Sequence, residues 1–151
     1  MFGSLKKLFG GEEKEEKIIA APVSGTAIPM GQVSDPTFSQ EILGKGTAVI
    51  PSDGRVVAPA DGLVTMVFDT KHAISMQTDN GAELIIHIGL DTVQLKGQYF
   101  EAHVAAGDKV KQGDLLLDFE IDKIKEAGYD VTTPVIICNT PQFPKMECRN
   151  G

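Results

Sequence analysis

The sequence has no tryptophan, two cysteines and only three histidines. With His72, His87 and His103 as the whole histidine set, few side chains can exchange protons near neutral pH. Neither a multi-histidine metal cage nor a four-cysteine zinc site can be assembled. Cys138 and Cys148 make no disulfide framework in 151 residues and read as thiols of a reducing compartment. Positive charge is scarce too. Fourteen Lys and Arg against 21 Asp and Glu leave a net charge of −7, which argues against a nucleic-acid backbone as partner, since that calls for a basic stripe. No apolar run approaches the ~18 residues of a membrane-crossing helix. Residues 1–17 lack the apolar core of a secretory signal. A cytoplasmic location is the expectation.

What is present is β-branched. Val, Ile and Thr recur in short runs split by 16 Gly and 8 Pro, and such residues fit pleated surfaces while losing rotamer freedom in helices. The length fits one domain of roughly 100–200 residues. Residues 1–17 differ from the rest. Phe2, Leu5, Leu8 and Phe9 share one helical face beside Lys6 and Lys7, and Gly10-Gly11 then leads into a charge run. This reads as a flexible or amphipathic leader, able at most to make a weak peripheral membrane contact through residues 1–10. Residues 18–151 read as a single β domain.

Turn signals every 8–12 residues divide that domain into short strands. They are predicted at Lys17–Pro22, Gly25–Pro29, Gly46–Pro51, Arg55–Pro59, Gly62–Phe68, Ala73–Gln77, Glu83–Ile88, Gln98–Ala102, Leu115–Glu120 and Thr133–Cys138. A helical turn is expected at Ser39–Leu43, and a second at Asp122–Ala127 with Asp122 as its cap. Ala21-Pro22-Val23-Ser24-Gly25 returns as Ala58-Pro59-Ala60-Asp61-Gly62, a weak internal repeat. The pattern predicts an all-β sandwich or barrel.

Strand parity singles out two histidines. In Glu83–Gly89, His87 shares a face with Ile85, while Leu84, Ile86 and Ile88 point the other way. In Thr70–Met76, parity puts Thr70, His72, Ile74 and Met76 on one face. If the two strands pair, two imidazoles and a hydroxyl converge. Such a pair could bind a metal with a third ligand, act as acid and base, or supply a nucleophile and a donor to its developing charge. Parity does not choose. A strand histidine can also be a packing residue, and His103, in a separate segment, reads as structural or exposed.

The stretch from Val67 to Ser75, with Asp69-Thr70-Lys71-His72, followed by Glu83-Leu84-Ile85-Ile86-His87-Ile88-Gly89-Leu90-Asp91-Thr92-Val93, resembles the glucose-type enzyme IIA of the bacterial sugar phosphotransferase system. Leu95-Lys96-Gly97, Gly107-Asp108-Lys109-Val110 and Thr133-Pro134-Val135-Ile136 match as well. The similarity runs from about Ile18 to about Thr140. It implies a compact antiparallel β sandwich of the duplicated hybrid motif type with one or two short helical turns. It also implies a phosphoryl relay. His87 accepts the group from the phosphocarrier HPr and passes it to a cysteine on the IIB domain of a sugar permease. His72 bonds the phosphoryl oxygens, and Thr70 supports the pair. Phe38, Ile42, Leu43, Phe68, Ile74, Met76 and Ile85 would form an apolar docking surface, with Asp91 on its rim. No cofactor is required, although the pair could hold zinc with a ligand from a partner. After the Thr-Pro-Val strand the chain departs from the family pattern, and the family's last strands are expected to be missing or replaced.

Two alternatives differ in class. Val104–Leu116 resembles part of a biotinyl or lipoyl carrier module, but no lysine sits at a Met-Lys-Met-like tip; a biotin or lipoyl adduct in the intact mass would decide for it. A zinc hydrolase of related β architecture would need a carboxylate beside the two histidines and an activity abolished by chelation.

Overall fold

The computed structural model describes residues 19–139. The leader at 1–17, its membrane contact through 1–10, Cys148 and the chain end at 140–151 lie outside the described residues. Ten strands follow in chain order: β1 (Gly25–Pro29), β2 (Lys45–Pro51), β3 (Arg55–Val57), β4 (Gly62–Val67), β5 (Ala73–Thr78), β6 (Glu83–His87), β7 (Phe100–Ala102), β8 (Lys109–Val110), β9 (Leu115–Phe119) and β10 (Thr133–Ile137). Every pairing is antiparallel. A larger sheet runs β1-β2-β10-β6-β5-β4-β8 and a smaller one β3-β9-β7. The strand predictions hold to within a few residues, with two differences. Residues 19–21 form no strand, and the short β8 was not foreseen.

The register explains the core. Ile74 lies opposite Ile86 and Met76 opposite Leu84, while Val135 and Ile137 on β10 meet Ile86 and Leu84. Paired residues share a face, so these side chains form one apolar layer. Ile74, Met76, Leu84, Ile86 and Ile137 cluster with Val56, Leu116, Leu117 and Phe119 of the smaller sheet. The opposite face of the larger sheet carries Ala48, Ile136, Ile85 and His87. Part of it is covered by a second apolar cluster in which Met30, Val33, Phe38 and Leu90 pack on Ala48 and Ile136. That is why all five residues of β10 are buried: the strand has an apolar layer on each side. The two copies of the weak repeat lie side by side. Val57 N–H donates to the Pro22 carbonyl and Ala20 N–H to that of Pro59, and Gly25 and Gly62 each open a strand.

The helices sit differently from the sequence expectation. Helix α1 spans Pro36–Ser39 rather than residues 39–43, because Asp35 accepts from Thr37 N–H and Pro36 starts the turn. Helix α2 spans Ile121–Glu126. Its cap position is Glu120, without a side-chain cap bond, and Asp122 lies in the first turn. Ile124 is fully buried and Gly128 follows with φ +95°, as the expected glycine stop requires.

Candidate functional site

His87 is the last residue of β6. Its parity with Ile85 puts it on the outer face of the larger sheet, opposite Ala73 of β5. His72 is not a strand residue. It ends a turn in which Lys71 N–H donates to the Phe68 carbonyl, Phe68 N–H to that of Ala73, and Lys71 takes φ +58°. Alternation cannot be counted through such a turn. The sequence expectation that His72, Ile74 and Met76 share a face therefore fails: Ile74 and Met76 are core residues, 0% and 1% exposed, and cannot dock a partner. The turn still brings the imidazoles together. Their centroids are 4.9 Å apart at an interplanar angle of 82°.

Each ring has one nitrogen committed. His87 Nδ1 lies 2.7 Å from the Gly89 carbonyl oxygen, which can only accept. Nδ1 therefore carries the proton, and in the neutral ring Nε2 keeps its lone pair. His72 Nδ1 lies 2.5 Å from Thr70 Oγ1. When the hydroxyl donates to Nδ1, the proton of neutral His72 sits on Nε2 and can be offered outward. Phe38 contacts the His87 ring at 4.9 Å and Phe68 meets the His72 ring edge-on at 5.5 Å.

Burial keeps the pair uncharged. His72 is pushed down to about 4, chiefly by desolvation and then by the charge His87 would carry. Desolvation also lowers His87, opposed by its bond to Gly89 and by Asp35 and Asp91 nearby. Both rings are neutral at pH 7.

Of the other residues expected here, Ile42 and Leu43 are exposed and Phe68 and Ile85 half-buried. Phe38 is buried in the second apolar cluster with its ring against His87, so it is a wall rather than a free surface. Asp91 is exposed, in the left-handed conformation just after the site. Asp35 was missed; the Asp35-Pro36 pair is a helix-start signal that marks Asp35 as the cap of α1 but not its closeness to His87. His103 is apart, on the smaller sheet's side, with Nε2 2.8 Å from Asp118. The histidine pair supplies two metal ligands. Among the described residues, the one grouping of three metal-ligating side chains is Glu101, His103 and Asp118, elsewhere on the molecule.

The fold and the site define an antiparallel β sandwich presenting a neutral histidine pair, His72 buried and His87 half-buried, at an apolar rim. Residues 17–143 match the model of the phosphoenolpyruvate-dependent sugar phosphotransferase system EIIA 1 family, and the chain belongs to that family, as a glucose-type EIIA component. The glucose-specific EIIA component of Halalkalibacterium halodurans is 47% identical over 150 residues, covering 94% of this chain and 87% of the relative. The beta-glucoside-specific EIIBCA component of Bacillus subtilis is 51% identical over 131 residues; they are 87% of this chain but 22% of that longer protein. The solved glucose permease IIA from Mycoplasma capricolum aligns with a TM-score of 0.81 at 33% identity, covering 91% of this chain and 93% of that one.

Proposed function

We propose that His87 is the phosphoryl acceptor of a sugar-uptake relay, loaded by HPr and unloaded by a cysteine of a permease IIB domain. The observation that carries this is the His87 Nδ1–Gly89 bond, which leaves a nucleophilic lone pair on Nε2 beside a second imidazole. Nε2 attacks phosphorus as the donor's phosphorus–nitrogen bond breaks. Nδ1 keeps its proton, so the loaded ring is cationic and its nitrogen can leave when the IIB thiolate attacks. Such transfers are governed by positioning and electrostatics. His72 donates from Nε2 to the phosphoryl oxygens, with Thr70 holding its tautomer. Phe68, Ile85, Ile42 and Leu43 give the partner an apolar face that excludes water and slows hydrolysis.

The EIIB and EIIC parts fused to the related Bacillus subtilis domain support a IIB acceptor. A cytoplasmic location belongs to the same reading; no helix among the described residues is long and apolar enough to cross a membrane. Zinc could join the pair only with further ligands from a partner, and the relay does not need it. In the test, the protein is incubated with phosphoenolpyruvate, the first enzyme of the system and HPr. One acid-labile, base-stable phosphoryl group is expected on His87, and none on His87→Ala. Undiminished labelling of a folded His87→Ala protein overturns the assignment.

A further inference from the structure

The bond that fixes His87 depends on where the Gly89 carbonyl points, and the chain after β6 holds that carbonyl from two sides. Gly89 has φ +83°, a conformation that favours glycine. The peptide unit on its C-terminal side contains the Gly89 carbonyl and the Leu90 N–H. In a trans peptide these point in opposite directions. Leu90 N–H donates to the Asp130 carbonyl at 2.9 Å, which aims the Gly89 oxygen back at His87 Nδ1. The peptide unit on the N-terminal side is held by Thr92. That side chain is 0% exposed, and its Oγ1 donates to the Ile88 carbonyl at 2.5 Å. Ile88 N–H in turn donates to the His72 carbonyl at 2.7 Å, so the same strand end is tied to the backbone of the second histidine.

Thr92 also fills the space beside the turn. A Cβ on Gly89 would meet Thr92 Cγ2 at 2.5 Å and the Asp130 carbonyl oxygen at 2.9 Å. One side chain therefore closes the site against an alternative backbone through its methyl and pins the preceding peptide through its hydroxyl. Its location follows from Asp91, whose left-handed φ of 61° turns the chain back under the strand end.

We infer that Thr92 is a positioning residue of the phosphoryl-transfer site. By clamping the Ile88 carbonyl it holds the Gly89 carbonyl against His87 Nδ1, and so keeps the lone pair on Nε2. Thr92 has no hydrogen bond to either histidine ring; its hydroxyl bonds the backbone. The inference rests on His87 being the acceptor.

The test compares Thr92→Val, which removes the hydroxyl and keeps the branched shape, with Thr92→Ser, which keeps the hydroxyl. Three readouts are taken on the full chain: cooperative thermal unfolding, the His87 tautomer from imidazole nitrogen NMR, and the initial rate of phosphorylation by HPr. Thr92→Val is expected to fold, to give a mixed His87 tautomer, and to accept the group about tenfold more slowly, the rate equivalent of about one net hydrogen bond. Thr92→Ser is expected to restore both tautomer and rate. If Thr92→Val does not fold, Thr92→Ala takes its place under the same criteria. A folded hydroxyl-free variant with the wild-type tautomer overturns the inference, whether or not its rate falls. Wild-type labelling away from His87 would instead overturn the relay reading, and the tautomer comparison would still report on the clamp.

Discussion

His72 and His87 are neutral for related but unequal reasons, and the difference makes their titration a residue-scale test. Burial lowers both, but His87 also has Gly89, Asp35 and Asp91 favouring its charged form. His72 has no such support and falls to about 4. Between about pH 4 and the unfolded value of 6.5, the unfolded chain binds a proton at this position that the folded chain does not. Stability should therefore rise with pH through that window, by up to about 1.4 kcal/mol per pH unit, and be lost as pH falls toward 4. Urea denaturation at a series of pH values measures it; His72→Gln should flatten the slope. Asp35→Asn keeps a capping oxygen and removes the charge. NMR titration should then find the His87 midpoint lower than in the wild type. Of these residues, His87 was placed on its face by period-two alternation, while its role came from the family resemblance. Asp35 was not legible, because its proximity to His87 arises from a segment folded over the outer face of the sheet, which no local pattern encodes.

At the scale of elements, turns rather than strands set the chemistry. The strands of the larger sheet were readable from β-branched runs between glycine and proline signals. The Thr70–His72 turn was not, since the left-handed Lys71 breaks the alternation that had grouped His72 with Ile74 and Met76. Helix α1 starts earlier than the Ser39–Leu43 turn that helix propensity predicts, because the Asp35 cap and Pro36 outweigh the better helix formers that follow. The turn after β6 gives a direct comparison. Gly89→Ala must adopt φ +83° and also intrude on Thr92 and Asp130, whereas Gly81→Ala takes a similar φ of +94° with nothing within 4 Å. Gly89→Ala should cost well over ~1 kcal/mol, the upper end of an ordinary glycine effect, and clearly more than Gly81→Ala in denaturant titrations.

At the scale of the whole molecule, the two faces of the larger sheet have separate duties. One builds the core against the smaller sheet; the other carries the histidines and, beside them, the second cluster that sets Phe38 against His87. Sequence parity assigned these duties correctly on β6. It failed where His72 leads into β5, because the left-handed turn at Lys71 breaks the alternation before the strand begins. Stability and transfer should therefore separate by face. Ile86→Ala, in the core, should cost about 2–5 kcal/mol while the molecules that remain folded still take label. Ile42→Ala, at a position 67% exposed, should change stability by less than ~0.5 kcal/mol and slow loading by HPr; stopped-flow loading and denaturant titration of the same samples check both. The central claim is the division of labour within the pair, and a single chase experiment tests it most directly. Wild type and His72→Gln are loaded from HPr and mixed with a IIB domain in one turnover. The expected result is that both carry the phosphoryl group on His87 but only the wild type gives it up rapidly. A His72→Gln protein that unloads at the wild-type rate, or a folded one that cannot be loaded, would contradict it.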